Sequence, residues 1–227
     1  WWIRNRLMRT EVSKPLRGRR LLVAVSGSIA AVKTPLLVSA LVKAGAEVRC
    51  LVTPSAAKLV SPLALATLSR HRCYLENNEW DSSCSRPLHI ELAEWAELVL
   101  VAPLSATSLS RWSQGSADGL LASVLLACEC PVLAAIAMNT AMWNHPAVQR
   151  NWQLLQTFPG VVPLVPQPGL LACDRLGDGR MADPSMIELA ASSLFSRSDA
   201  EPVSTQDWSG RRLLVTAGPT VEPIDQA

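Results

Sequence analysis

Aromatic side chains are scarce in this sequence. One Tyr, two Phe and eight Trp make up 5% of the 227 residues, against 49% hydrophobic overall. Such a chain builds its core from Ala, Val and Leu, as a sheet covered by helices does. Long apolar runs are missing too. None reaches the roughly 18 residues that cross a bilayer, and the longest candidate is broken by Glu129 and Pro131, so no membrane partner is expected. The cysteines at 50, 73, 84, 128, 130 and 173 form no CxxC pair and no zinc spacing, so no metal is expected either. Cys50, Cys128 and Cys130 stand among apolar neighbours and read as small buried residues. Free thiols suit a reducing cytoplasm. The G-x-G-x-x-G fingerprint of dinucleotide sites is also absent.

Net charge is only +2, but it is unevenly placed. Residues 1–20 carry seven Lys or Arg against Glu11, a net of +6, which leaves −4 for the rest. A mildly acidic folded part does not imply nucleic acid as a partner. The basic arm lacks the apolar centre of a secretory signal, and residues 1–17 read as a disordered extension. A start at Trp1 rather than Met suggests a piece of a longer protein.

What the sequence does contain is organised around PVLAAIAMNTAMWNHP (131–146). Its small apolar run reads as a strand buried on both faces of a parallel sheet. The run stops at Met138-Asn139-Thr140 and a helical pattern resumes after His145-Pro146. Ligands bind beyond the carboxyl ends of such strands. Asn139 is therefore a candidate site residue, or simply the cap of the next turn.

Upstream, residues 20–26 form a buried strand leading into Gly27, Ser28, Ile29, Ala30 and a helix to about Lys43. A small-residue loop at a helix N-terminus offers backbone N–H groups and a positive dipole to a phosphate. Lys33, one turn in, either assists that loop or is a solvated surface residue, the second being the simpler reading. A second strand covers 47–53. Residues 56–69 read as helical apart from Pro62, and 71–87 as a polar loop in which His71, Cys73 and Cys84 have no assigned role. His89, just ahead of a helix, is either an acid/base group or a packing His. Strand 98–102 leads to a hydroxyl-rich loop at 103–108. Helices to about 115 and over 120–128 precede the central strand, and a helix over 147–157 and a strand over 161–165 follow it. Residues 167–183, with Pro168, Gly169, Gly177 and Gly179, read as a mobile loop of functional length, and Pro184 opens a helix to about Phe195.

Residues 18–196 thus form one α/β domain, a parallel sheet between helix layers. Residues 197–208 read as a polar linker. GRRLLVTAGPTVEPID (210–225) repeats the basic pair, buried strand and Gly loop of 18–27. Residues 209–227 therefore read as the truncated start of a second α/β domain, from which no activity is expected.

Six stretches, in order and spacing, resemble one family: SGSIAA (26–31), HIELAEWAELV (89–99), APLSATS (102–108), ADGLL (117–121), AMNTAMWNHP (137–146) and ACDRLGDGRM (172–181). They are similar to the homo-oligomeric flavin-containing cysteine decarboxylases, nearest to the branch that joins phosphopantothenoylcysteine decarboxylase to a synthetase. Residues 210–225 resemble the opening of that synthetase. The resemblance implies a flavodoxin/Rossmann-like fold, trimers or multiples of trimers, and FMN near the subunit contacts. It places the flavin phosphate at Gly27, Ser28, Ile29 and Ala30 with Thr53, and further flavin contacts at Ser105, Thr107, Ser108, Ala137 and Met138. It gives His89 a catalytic role, Asn139 the substrate carboxylate, and Cys173 the final proton donation.

The implied reaction is decarboxylation of 4′-phosphopantothenoylcysteine to 4′-phosphopantetheine in coenzyme A biosynthesis. An alkyl carboxylate loses CO2 only if the electrons left behind have a sink. Oxidising the thiol to a thioaldehyde provides one, and returning a hydride and a proton to the resulting enethiol gives the saturated thiol. The family pattern Ala-Cys-Gly-Asp is changed here, since Asp174-Arg175 follow Cys173. Asp174 disfavours the thiolate, which suits a proton donor. Thr107 stands where Asn is common, and Val32 where an aromatic is common. Two other readings remain: a peptidyl-cysteine oxidative decarboxylase, which stops at the enethiol without Cys173, and a non-catalytic flavoprotein regulatory subunit. The presence of His89, Asn139 and Cys173 together favours the first enzyme.

Overall fold

A computed structural model of the chain describes residues 14–81, 85–170 and 176–199. Strands β1 (Arg20–Val25), β2 (Glu47–Val52), β3 (Cys73–Leu75), β4 (Leu98–Leu104), β5 (Val132–Ile136) and β6 (Val161–Leu164) form one parallel sheet. Their spatial order is 3-2-1-4-5-6, the doubly wound Rossmann order. The expected class is thus observed.

Alternation along each strand divides the core into two layers. Leu21, Val23 and Val25 of β1 face one layer with Leu100 of β4 and Leu133 of β5. That layer is closed by α1 (Thr34–Lys43), α2 (Pro62–Ser69) and α8 (Pro184–Asp199). Leu22 and Ala24 face the other, covered by α3 (Leu88–Trp95), α4 (Ala106–Ser113), α5 (Leu120–Ala127) and α7 (Pro146–Leu155). Both faces being covered is why β1, β4 and β5 carry almost no polar residue. Truncating a fully buried leucine such as Leu100 to Ala would cost about 2–5 kcal/mol.

Several expectations need correction. The folded part begins before residue 18, because Leu16 is fully buried and its N–H donates to the Ala44 carbonyl at 3.1 Å. The polar stretch after His71 contains β3, which pairs with the end of β2. Residues 167–183 are not simply a loop: β7 (Gln167–Leu170) and β8 (Leu176–Arg180) pair as an antiparallel hairpin. The last helix runs to Asp199, into the stretch read as linker. Cys128 and Cys130 are only half-buried, with sulfurs 3.1 Å apart, whereas Cys50 is fully buried. Cys84, Cys173 and the second-domain start at 209–227 lie outside the described residues.

Candidate active site

Strand order reverses between β1 and β4, and the carboxyl ends of these two strands open a crevice there. Ser26, fully buried at the end of β1, fastens its two sides. Its hydroxyl donates to the Pro103 carbonyl at 2.7 Å and accepts from Ser105 N–H at 2.8 Å. The next residue must be glycine for lack of room: a Cβ on Gly27 would stand 2.5 Å from Ser55 Cβ. Ser28 then caps a 3-10 turn, Ile29–Lys33, by accepting from Ala30 N–H. The regular helix starts only at Thr34, so the loop meets a short 3-10 turn instead of the expected α-helix N-terminus.

Three strand-end loops and the hairpin enclose a cavity of about 670 Å³. The β1 loop contributes Gly27, Ser28, Ile29 and Ala30, and the β4 loop Ser105 and Thr107. The β5 loop contributes Ala137, Met138 and Asn139. Ala137 N–H donates to Leu104 O at 3.0 Å and Met138 N–H to Gly179 O at 2.9 Å, which seats β8 on this loop. Gly179 has φ +139°, and a Cβ there would overlap the Met138 carbonyl. Asn139 is both things the sequence left open. It lines the cavity, and its Oδ1 accepts from Ala141 N–H at 2.8 Å, capping the short α6 (Thr140–Trp143).

Charged residues complete the wall, and Arg180 and its partner Asp183 were not singled out from the sequence. Lys33 lines the cavity and pairs with Asp183 at 3.4 Å. Arg180, also in the wall, contacts both Asp183 oxygens at 2.6 and 2.7 Å. The Arg180 hydrogen bonds, with help from Lys33, hold the Asp183 carboxyl below its usual range. Asp183 thereby links the turn after β1 to the hairpin. Lys33 and Asp183 are 150 residues apart in sequence, so no local signal announces that pair.

Thr53 and Ser108 stand elsewhere. They line a smaller cavity of about 200 Å³ with Glu76, Arg111, Asp118 and Gly119. The first turn of α4 divides the two spaces, since Thr107 faces one and Ser108 the other.

His89 sits in the first turn of α3, at the same end of the sheet, but not in the wall of either cavity. Its Nδ1 is hydrogen-bonded to Glu79 Oε1, another residue the sequence did not single out. The structure therefore brings Gly27, Ser28, Ile29, Ala30, Ser105, Thr107, Ala137, Met138 and Asn139 together within one chain, and leaves Thr53, Ser108 and His89 apart. Among the described residues there is no group of three or more His, Cys, Asp or Glu that could hold a metal, and no helix long and apolar enough to cross a membrane.

Comparison with known proteins agrees with this geometry. The chain is 40% identical over 210 residues to the coenzyme A biosynthesis bifunctional protein CoaBC of Bacillus subtilis, covering 92% of this chain and 50% of that protein. It is 37% identical over 211 residues to the protein of that name from Escherichia coli K12, with the same coverage. The chain spans about half the length of these curated relatives. Among solved structures, a PPC decarboxylase mutant complexed with pantothenoylaminoethenethiol superposes with a TM-score of 0.74 at 35% identity, covering 79% of this chain and all of that one. The FMN binding protein AtHal3 gives 0.72 at 37% identity, covering 82% of this chain and all of that one. A model of the flavoprotein family matches residues 9–193, and this chain belongs to that family.

Proposed function

We propose that the chain is an FMN-dependent decarboxylase converting 4′-phosphopantothenoylcysteine to 4′-phosphopantetheine. The observation that carries this reading is the convergence of the β1, β4 and β5 loops on one cavity, each loop bearing a motif of the resemblance. The residues present fit FMN. Gly27 packs on Ser55 too closely to carry a side chain, and it lines the cavity beside Ser28. The cavity volume lies within the roughly 300–1,000 Å³ of cofactor sites. Gly27, Ser28 and Ala30 hold the phosphate, while Ser105, Ala137 and Met138 border the ring.

Bound FMN supplies a reversible two-electron acceptor, which gives the carboxylate its electron sink. The chain's own residues do the rest. Asn139 aligns the substrate carboxylate for departure. His89 moves protons during CO2 loss, and Cys173 delivers the last proton to carbon.

Incorporation of FMN gives the first test. The protein should take up one FMN per chain and release CO2 on addition of 4′-phosphopantothenoylcysteine, and Gly27→Val should abolish flavin uptake. A protein that stays colourless with excess FMN sinks the reading. Cys173→Ser should release CO2 yet accumulate the unsaturated thiol, because a serine hydroxyl is a far weaker acid than a thiol. Unsaturated thiol as the end product of the unmutated chain would favour the peptide-decarboxylase reading.

The assembly belongs to the same proposal. His89 stands outside the cavity that holds Asn139, and the cavity rim exposes Ile29, Val32 and Met142. A second copy covering that rim, in the trimer the resemblance implies, supports both facts. Sedimentation velocity tests it, and a monomer at working concentration argues against it.

A further inference from the structure

The segment between β3 and α3 carries a buried carboxylate with no structural reason to be one. Glu79 follows a single 3-10 turn, Glu76–Asn78, pinned at both ends. Leu75 N–H donates to Asn78 Oδ1 at 2.9 Å, and Leu120 N–H at the start of α5 donates to Glu76 Oε1 at 2.9 Å. Glu79 N–H closes the turn on Glu76 O at 3.2 Å. The backbone under Glu79 is therefore held to both β3 and α5.

The Glu79 side chain is only 8% exposed. One oxygen accepts from His89 Nδ1–H, and the other, Oε2, is buried without a hydrogen-bond partner. Burying a carboxylate is unfavourable unless its oxygens are satisfied. A half-satisfied one is the kind of cost that sites retain for function. His89 is itself fixed: Pro87 caps α3 and Leu88 is fully buried, while the imidazole stays 26% exposed. An ionised carboxylate only accepts, so the shared proton sits on Nδ1. With Nδ1 engaged by Glu79, Nε2 on the other edge of the ring is the nitrogen left for a substrate.

We propose that Glu79 is the positioning residue of His89, forming with it a carboxylate–imidazole dyad that fixes the ring tautomer and presents Nε2 to the substrate. This rests on the reading of His89 as the residue that handles protons during decarboxylation. Glu79 itself touches neither substrate nor flavin; it acts through the histidine, as orienting carboxylates do in other histidine-dependent sites.

The test replaces the acceptor-only carboxylate with a neutral amide that can donate as well as accept. In Glu79→Gln the amide NH2 can donate to Nδ1, which selects the opposite tautomer. The FMN-loaded protein has three histidines, so long-range 15N–1H spectra can assign His89 by comparison with His89→Asn. Expected is Nδ1–H alone in the unmutated protein, with Nε2–H gained in Glu79→Gln as the amide donates. The kcat for CO2 release should fall about tenfold or more, with KM and FMN affinity little changed, and Glu79→Asp should restore part of it. Nε2–H with a bare Nδ1 in the unmutated protein, or full kcat in Glu79→Gln, overturns the dyad. If Glu79→Gln does not fold, Glu79→Asp carries the test: lowered kcat at constant KM supports the dyad, and full kcat overturns it. Failure of the underlying reading looks different. There the unmutated protein releases no CO2, or His89→Asn still does, whatever the tautomer spectra show.

Discussion

The Ser26 hydroxyl joins β1 to the start of α4 by accepting from Ser105 N–H at 2.8 Å while donating to Pro103 O at 2.7 Å. Both contacts are buried, and both brace loops that wall the cavity. In Ser26→Ala the buried Ser105 N–H loses its partner, and the Pro103 carbonyl keeps only the backbone N–H of residue 26, at 3.3 Å. That should cost about 1–3 kcal/mol, read as a lower urea midpoint at constant m value. FMN affinity should fall with it, since the loops no longer share a brace. A variant with unchanged midpoint would mean that these groups find other partners.

Gly179 is where the hairpin meets the site. Its positive φ and its contact with the Met138 carbonyl leave no room for a methyl group. Gly179→Ala should therefore lift β8 off the loop that carries Asn139. The expected result is a several-fold rise in KM for the substrate with flavin uptake retained, because Gly27 and Ser105 are untouched. Equal KM values for the two proteins would show that the hairpin does not order Asn139.

Asp183 gives the hairpin a pH dependence. Its folded carboxyl is held below the unfolded value, first by Arg180 and then by Lys33. A depressed carboxylate stabilises the folded form above its unfolded value, near 3.9, and that contribution is lost as pH falls through the folded value. The side chain is 41% exposed, so the effect on global stability is small and salt-sensitive. Proteolysis at the hairpin should quicken below about pH 4, and Asp183→Asn should show the faster rate already at neutral pH. A hairpin equally resistant in both proteins would remove Asp183 as its tether.

The parts of this fold legible in the sequence are those that a buried parallel strand makes inevitable. β1, β4 and β5 are nearly unbroken apolar runs because helices cover both faces, and the residues that end them mark the crevice. β3 was missed because Cys73, Tyr74 and Leu75 make an edge strand of three half-buried residues, too short for a periodic signal. The hairpin escaped for another reason: Gly177 and Gly179 are there to pack against Thr140 and Met138, not to make a flexible loop. Pairs such as Lys33 with Asp183, or His89 with Glu79, join segments whose approach only the tertiary fold dictates. Thr53 and Ser108, which only the resemblance gave to the flavin, line a different space from Gly27 and Ser105.

The separation of His89 from Asn139 makes the assembly testable without another structure. If one copy supplies His89 to the cavity of its neighbour, then His89→Asn and Asn139→Ala damage different copies of a shared site. Each variant alone should bind FMN and release almost no CO2. Denatured together at equal ratio and refolded with FMN, they should form mixed oligomers in which some sites pair an intact His89 with an intact Asn139. Random mixing in a closed ring makes that about one quarter of the sites. CO2 release should rise towards that fraction of the unmutated rate, and should not rise when either variant is refolded alone. A mixture as inactive as its components, under conditions where mass spectrometry shows that mixed oligomers have formed, would mean that both residues serve the same chain. The His89 ring would then have to reach the cavity by a rearrangement of α3, and the argument for a shared site would be lost.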